Sequence, residues 1–161
     1  MYKSSSTLRS SLCYLVFLLA VLGGNVPISA EKVDLSADDL RKIATHVVTG
    51  EVLAIYERAV TTQDWKYTHY VAEVRVNQVE KGEGVKNDEL IYVRYWQRRW
   101  NSSGPQPPST IGHRGLPQEK DKLRFYLAQN AYDGFTNDNQ DGGYNVIGAN
   151  GFEELPAPEK K

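Results

Sequence analysis

After residue 46 most of the chain alternates between apolar and polar positions, and two segments before it do not. Leu12 to Gly24 (LCYLVFLLAVLGG) is a continuous apolar run. Leu40, Ile43 and Ala44 then recur at helical spacing. They follow Ser36-Ala37-Asp38-Asp39, which has the form of a capping box with Asp39 in place of the usual Glu or Gln. Leu35 and Leu40 occupy the two positions of a hydrophobic staple, so the pattern predicts a short helix over about 37–45.

From Val47 the period becomes two. Val47 to Tyr56 is β-branched and apolar, with Gly50 inside it, where a glycine predicts a bulge or sharp bend. Tyr67 to Val79 places Tyr70, Ala72, Val74 and Val76 inward, with His69, Glu73, Arg75 and Asn77 outward; Val71 interrupts the outward set. Asp88 to Gln97 is a third strand with Ile91, Val93 and Tyr95 on one face. Lys122 to Ala128 is a fourth with Leu123, Phe125 and Leu127 inward, and Tyr144 to Ile147 a short fifth. The segments 98–121 and 131–143 are rich in Gly, Pro, Ser, Asn and Asp and predict long loops. Five short strands behind one helix predict a small closed or partly closed barrel, because closure hides strand edges.

Composition adds a location. Lys3 and Arg9 precede the apolar run, and Gly23, Gly24, Pro27 and Ala30 follow it, so residues 1–30 read as a signal peptide cleaved before Glu31. The single cysteine, Cys13, goes with it and precedes most of the apolar run, which excludes a lipoprotein signal. The expected location is secreted or periplasmic, with no membrane-embedded segment after cleavage. Without Lys3 and Arg9, 17 of the 19 basic residues remain against 20 acidic ones, a net charge of −3 that calls for neither nucleic acid nor an anionic membrane. Residues 31–155 are expected to form one domain and the polar, Pro-containing 156–161 a disordered tail.

A helix leading into VVTGEVLAIYE, the alternating strand YTHYVAEVRVNQVEKGEG and the later GLPQEKDKLRFYL together resemble the OB-type barrel of the netrin-module and tissue-inhibitor-of-metalloproteinases superfamily, over about residues 37–128. The resemblance implies a mostly β fold: a small five-stranded OB-like antiparallel barrel with a short N-terminal helix. That inhibitor family chelates a protease zinc through a disulfide-tied N-terminal cysteine. Here Glu31 stands at the expected N-terminus and no cysteine remains, so the resemblance carries the fold and not the inhibition. The cystatin motif Gln-x-Val-x-Gly is only half matched by Gln78-Val79-Glu80-Lys81-Gly82.

The chemistry concentrates in YVRYWQRRW. Alternation sets Tyr92, Arg94, Trp96 and Arg98 on one face, with Trp100 following, as interleaved arginines and rings able to stack and to donate hydrogen bonds. Arg75 and Arg124 are candidates to extend this patch, and Glu51 and Glu73 to pair with its arginines. His113 and Arg114 in the long loop complete the candidate ligand-binding set. Asn137-Asp138-Asn139-Gln140-Asp141-Gly142 has oxygens at alternate positions like a calcium loop. Its first position is Asn and its twelfth is Gly148, so it reads as a turn. His46 and His69 lack metal-ligand spacing, and Asn101-Ser102-Ser103 is a glycosylation sequon. There is no nucleophile elbow, phosphate loop or HExxH, so no catalytic residue, metal or cofactor is nominated. The expectation is a non-enzymatic exported module that recognises a protein partner. The alternatives are an oligosaccharide-binding OB module using Trp96 and Trp100 as platforms, or a small hydrolase of unspecified class.

Overall fold

The structure is a computed structural model that describes residues 34–108, 111–129 and 143–155. The segments read as signal peptide, calcium-loop-like turn and polar tail lie outside the described residues. Among the described residues one helix, α1 (Ala37–Ile43), precedes six strands: β1 (His46–Thr61), β2 (Trp65–Lys81), β3 (Leu90–Trp100), β4 (Lys122–Gln129), β5 (Tyr144–Val146) and β6 (Phe152–Glu154).

The strands close into a ring. β1 pairs with β2, β2 with β3, β3 with β5, β5 with β4, and β4 returns to β1. The result is the mostly β, five-stranded, OB-like barrel with a short N-terminal helix. Two details differ from the sequence reading. The β3–β5 pair is parallel, because β4 lies between them in the chain and turns the direction back. β6 is an additional strand beside β4: β5 takes the 127–129 part of that edge and β6 takes 123–125.

Local chemistry accounts for the elements. The Ser36 hydroxyl accepts from the Asp39 N–H (3.1 Å) and donates to the Asp39 carboxylate (2.6 Å), starting α1 as the capping pattern requires. Ala44 is already extended and ends the helix after Ile43. Gly50 sits where the β1–β2 register shifts. A Cβ there would lie 2.5 Å from a Val74 methyl and 2.8 Å from the Arg75 carbonyl, so only glycine lets the strands approach this closely at the bend.

The ring interior is filled by alternating side chains, with Val48, Val74, Val93, Phe125, Leu127 and Val146 at its centre. Outside it, Leu40 of α1 and Ala44 just after it cover the paired Val47 and Tyr126, with Leu35 and Ile147 at the margin. This second cluster explains why β1 and β4 are apolar on both faces where they meet. Leu35 is held by Asn150, whose Oδ1 accepts from the Leu35 N–H (3.0 Å) and whose Nδ2 donates to the Leu35 carbonyl (2.9 Å).

Candidate functional site

Three strands outrun the ring. β4 pairs only with residues 46–51 of β1, and β5 only with 93 and 94 of β3, so the rest of the β1–β2–β3 meander continues as a three-stranded arm. Its tip is a tight turn: the Thr62 N–H donates to the Trp65 carbonyl (2.8 Å), and the Thr62 hydroxyl accepts from the Trp65 N–H (3.1 Å).

Strand alternation carries Tyr92, Arg94, Trp96, Arg98 and Trp100 of the YVRYWQRRW motif onto the outer face, and β2 supplies a partner for each of these five. Trp65 stands opposite Trp100, Tyr67 opposite Arg98, His69 opposite Trp96, Val71 opposite Arg94 and Glu73 opposite Tyr92. The Arg98 guanidinium lies 4.2 Å from the Trp65 ring centroid and 5.9 Å from that of Tyr67, and donates to the Tyr67 hydroxyl (3.3 Å). Trp65 meets Trp100 edge-on at 5.0 Å, and Tyr67 stacks with His69 at 6.2 Å and 11°. Trp100 Nε1 donates to the Gly104 carbonyl (2.7 Å), which pins the start of the following loop. Such contacts hold the rings and the guanidinium in one arrangement.

Burial holds the His69 pKa below its usual value, and the charge of Arg58, across from it on β1, adds to the effect. His69 is therefore a neutral ring at pH 7, and the cationic character of the face comes from its arginines. Trp96 is half-buried, and its indole N–H is enclosed with no acceptor among the described residues. An enclosed donor left this way costs about 1–3 kcal/mol.

The seven residues singled out from the sequence do not form one site. Trp96, Arg98 and Trp100 come together with Trp65, Tyr67 and His69. Tyr92 lies further along the same face, 51% exposed, and the Arg94 guanidinium sits over Gly143. His113 is fully buried rather than on the surface. Its Nδ1 accepts from the Trp96 N–H (3.1 Å), and its Nε2–H donates to the Val146 carbonyl (3.1 Å), joining β3 to β5 from inside the wall. Arg114 pairs with Asp34, and its N–H donates to the Ala149 carbonyl, so it belongs to the α1 side. Arg124 is bound by Glu80 (3.0 Å) and Glu153 (2.8 Å) and takes no part in the patch. Glu51 pairs with Lys122 (3.7 Å) rather than with an arginine of the face.

The long 98–121 connection is held at its middle. The Arg98 N–H donates to the Ile111 carbonyl and the His113 N–H to the Trp96 carbonyl, so residues 111–113 run along β3. Gly112 makes this possible with φ +96°: a Cβ there would lie 2.5 Å from the Trp96 carbonyl oxygen. The β2 residues Trp65, Tyr67 and His69 were legible in principle, since the period of β2 already put His69 outward. What the sequence lacks is the register that sets them against β3. Among the described residues no three His, Cys, Asp or Glu side chains gather as metal ligands. No family model, curated protein or solved structure matches this chain.

Proposed function

We propose that this chain is an exported, non-enzymatic binding module that recognises a protein partner through the outer face of the β2–β3 arm. The observation that supports it is the pre-ordered ladder in which Arg98 lies between Trp65 and Tyr67, flanked by Trp96 and Trp100. Rigid rings and arginine are the side chains that anchor protein interfaces, and the β2–β3 face is where OB barrels bind. A protein fits better than a sugar here. A stacking platform needs an open ring face, whereas Trp65 is covered by Arg98 and Trp65 and Trp100 meet edge-on. The resemblance to the netrin and metalloproteinase-inhibitor superfamily enters this reading as a shared scaffold, without the zinc-chelating cysteine.

The test is affinity capture from the envelope and culture fluid of the source, with a Trp96→Ala/Arg98→Ala variant and a ladder of oligosaccharides in parallel. Capture of a defined protein that is lost with the double variant is the expected result. Saturable binding of one sugar in place of a protein would move the function to oligosaccharide recognition. Capture unchanged by the double variant would remove this face from the account.

A further inference from the structure

The opposite, concave face of the arm carries a second arrangement. Register places its side chains in rows across the three strands. Thr61, Lys66 and Arg99 form the row at the tip; Ala59, Thr68 and Gln97 form the next; Glu57 and Tyr70 form the one nearest the ring. Apart from Thr61, these residues line a cleft of about 270 Å³, to which Arg98, its guanidinium held against Trp65 and Tyr67, also contributes. Lys66 and Arg99 face each other directly on neighbouring strands, a pairing of like charges that weakens a sheet. Neither makes an ion pair among the described residues, and neither does Glu57. The Gln97 amide donates to the His113 carbonyl at 3.4 Å, which leaves its own carbonyl for another partner.

The cleft is therefore bipolar. Two uncompensated cations stand at one end and one uncompensated carboxylate at the other, with hydroxyl and amide groups between. Thr61 and Glu57 mark the two end rows and are four residues apart on β1, so the charged ends lie about 13 Å apart at 3.3 Å per residue. An extended chain has that same repeat, and its residues i, i+2 and i+4 point to one side. A lone phosphate or sulfate matches the tip but gains nothing from the far end, where Glu57 repels it.

We propose that this cleft takes an extended peptide segment of the partner, with an acidic residue against Lys66 and Arg99 and, four positions along, a basic residue against Glu57. A small polar side chain at the middle position meets Thr68 and Gln97. This rests on the reading that the chain binds a protein, and it specifies the chemistry of the segment that is bound.

The experiment measures, at low ionic strength, binding of labelled nine-residue peptides to the full chain by fluorescence anisotropy. One peptide has Asp and Lys four positions apart, a second has them three apart, and a third has Asp at both of the four-apart positions. The four-apart Asp/Lys peptide should bind saturably and more tightly than the three-apart one. Lys66→Glu/Arg99→Glu should weaken it about tenfold. That variant exchanges one like-charged pair for another, so an unchanged thermal midpoint shows that the fold is kept. Glu57→Lys should shift preference to the double-Asp peptide. Equal binding of the two spacings, or an affinity unmoved by Lys66→Glu/Arg99→Glu, overturns the proposal. So does inorganic phosphate binding as tightly as the peptide, since a small anion is then the ligand. If capture depends on Trp96 and Arg98 while no peptide binds here, the cleft proposal falls and protein recognition stands. If the peptide binds and no protein is captured, the loss falls on the outer face instead.

Discussion

Replacing His113 with phenylalanine isolates what a buried imidazole does in the barrel wall. Phenylalanine keeps the ring that sits 6.2 Å from Tyr95 and 6.0 Å from Phe152, so the volume and most aromatic contacts survive and little cavity is created. Two polar contacts are lost. The Trp96 N–H loses its acceptor at Nδ1 and is left in the protein interior, which costs about 1–3 kcal/mol. The Nε2–H bond to the Val146 carbonyl is removed, a net loss of about 1 kcal/mol. The expected destabilisation is therefore about 2–4 kcal/mol, a large share of the stability of a domain this size. Urea denaturation followed by near-UV circular dichroism measures it. Tyr92→Ala, half-exposed on the same strand, serves as a control expected within about 0.5 kcal/mol of the parent. A loss of under about 0.5 kcal/mol for His113→Phe would show that these hydrogen bonds are replaced by water or are weak, and the argument for His113 as the fastening between β3 and β5 would fail.

Three other variants follow from the same geometry. Tyr95→Phe removes a hydroxyl that is buried without a partner among the described residues, so it should leave stability unchanged or raise it by about 1 kcal/mol on thermal melting. Gly112→Ala meets both a positive φ and the Trp96 carbonyl, and should cost at least about 2 kcal/mol while exposing residues 111–113 to protease. Glu153 has its pKa lowered, first by the Tyr126 hydroxyl (2.6 Å) and then by Arg124. Its stabilising effect is thus complete above the ordinary carboxylate value of about 4.5 and is lost as pH falls through the lower folded value. Glu153→Gln should flatten that acid limb in a series of melts from pH 7 to pH 3.

The strands were readable because one face of each is buried, and burial imposes a period of two. The inward set Tyr70, Ala72, Val74, Val76, Ile91, Val93 and Tyr95 follows directly from that, as does the bend at Gly50. The lengths were not readable. β1 runs on to Thr61 and β3 to Trp100, because in the arm hydrogen bonding continues after core burial, and with it the apolar signal, has ended. β6 has one apolar residue, Phe152, in three, too few to show a period. His113 reads from the sequence as a loop residue available to a ligand, because a loop rich in Gly, Pro and Ser carries no sign of which residue turns inward. That depends on the Gly112 backbone lying against Trp96, a contact between residues 16 positions apart. The cleft was hidden for a related reason: Lys66 and Arg99 look like ordinary surface charges until the β2–β3 register sets them face to face.

The way the ring closes also dictates an order of events. The meander β1–β2–β3 is joined by short turns at 62–64 and 82–89, so its pairings carry a small loop-closure cost. The β1–β4 pairing joins residues more than 70 positions apart, and the parallel β3–β5 seam spans only Val93 and Arg94 with Tyr144 and Asn145. Long-range contacts of this kind form late on the folding path. Damage to the seam through His113 should then appear as faster unfolding with refolding almost unchanged, whereas damage to the β1–β2–β3 meander should slow refolding. The barrel assembles from the sheet that bears the three-stranded arm and opens again where β5 is fastened to β3.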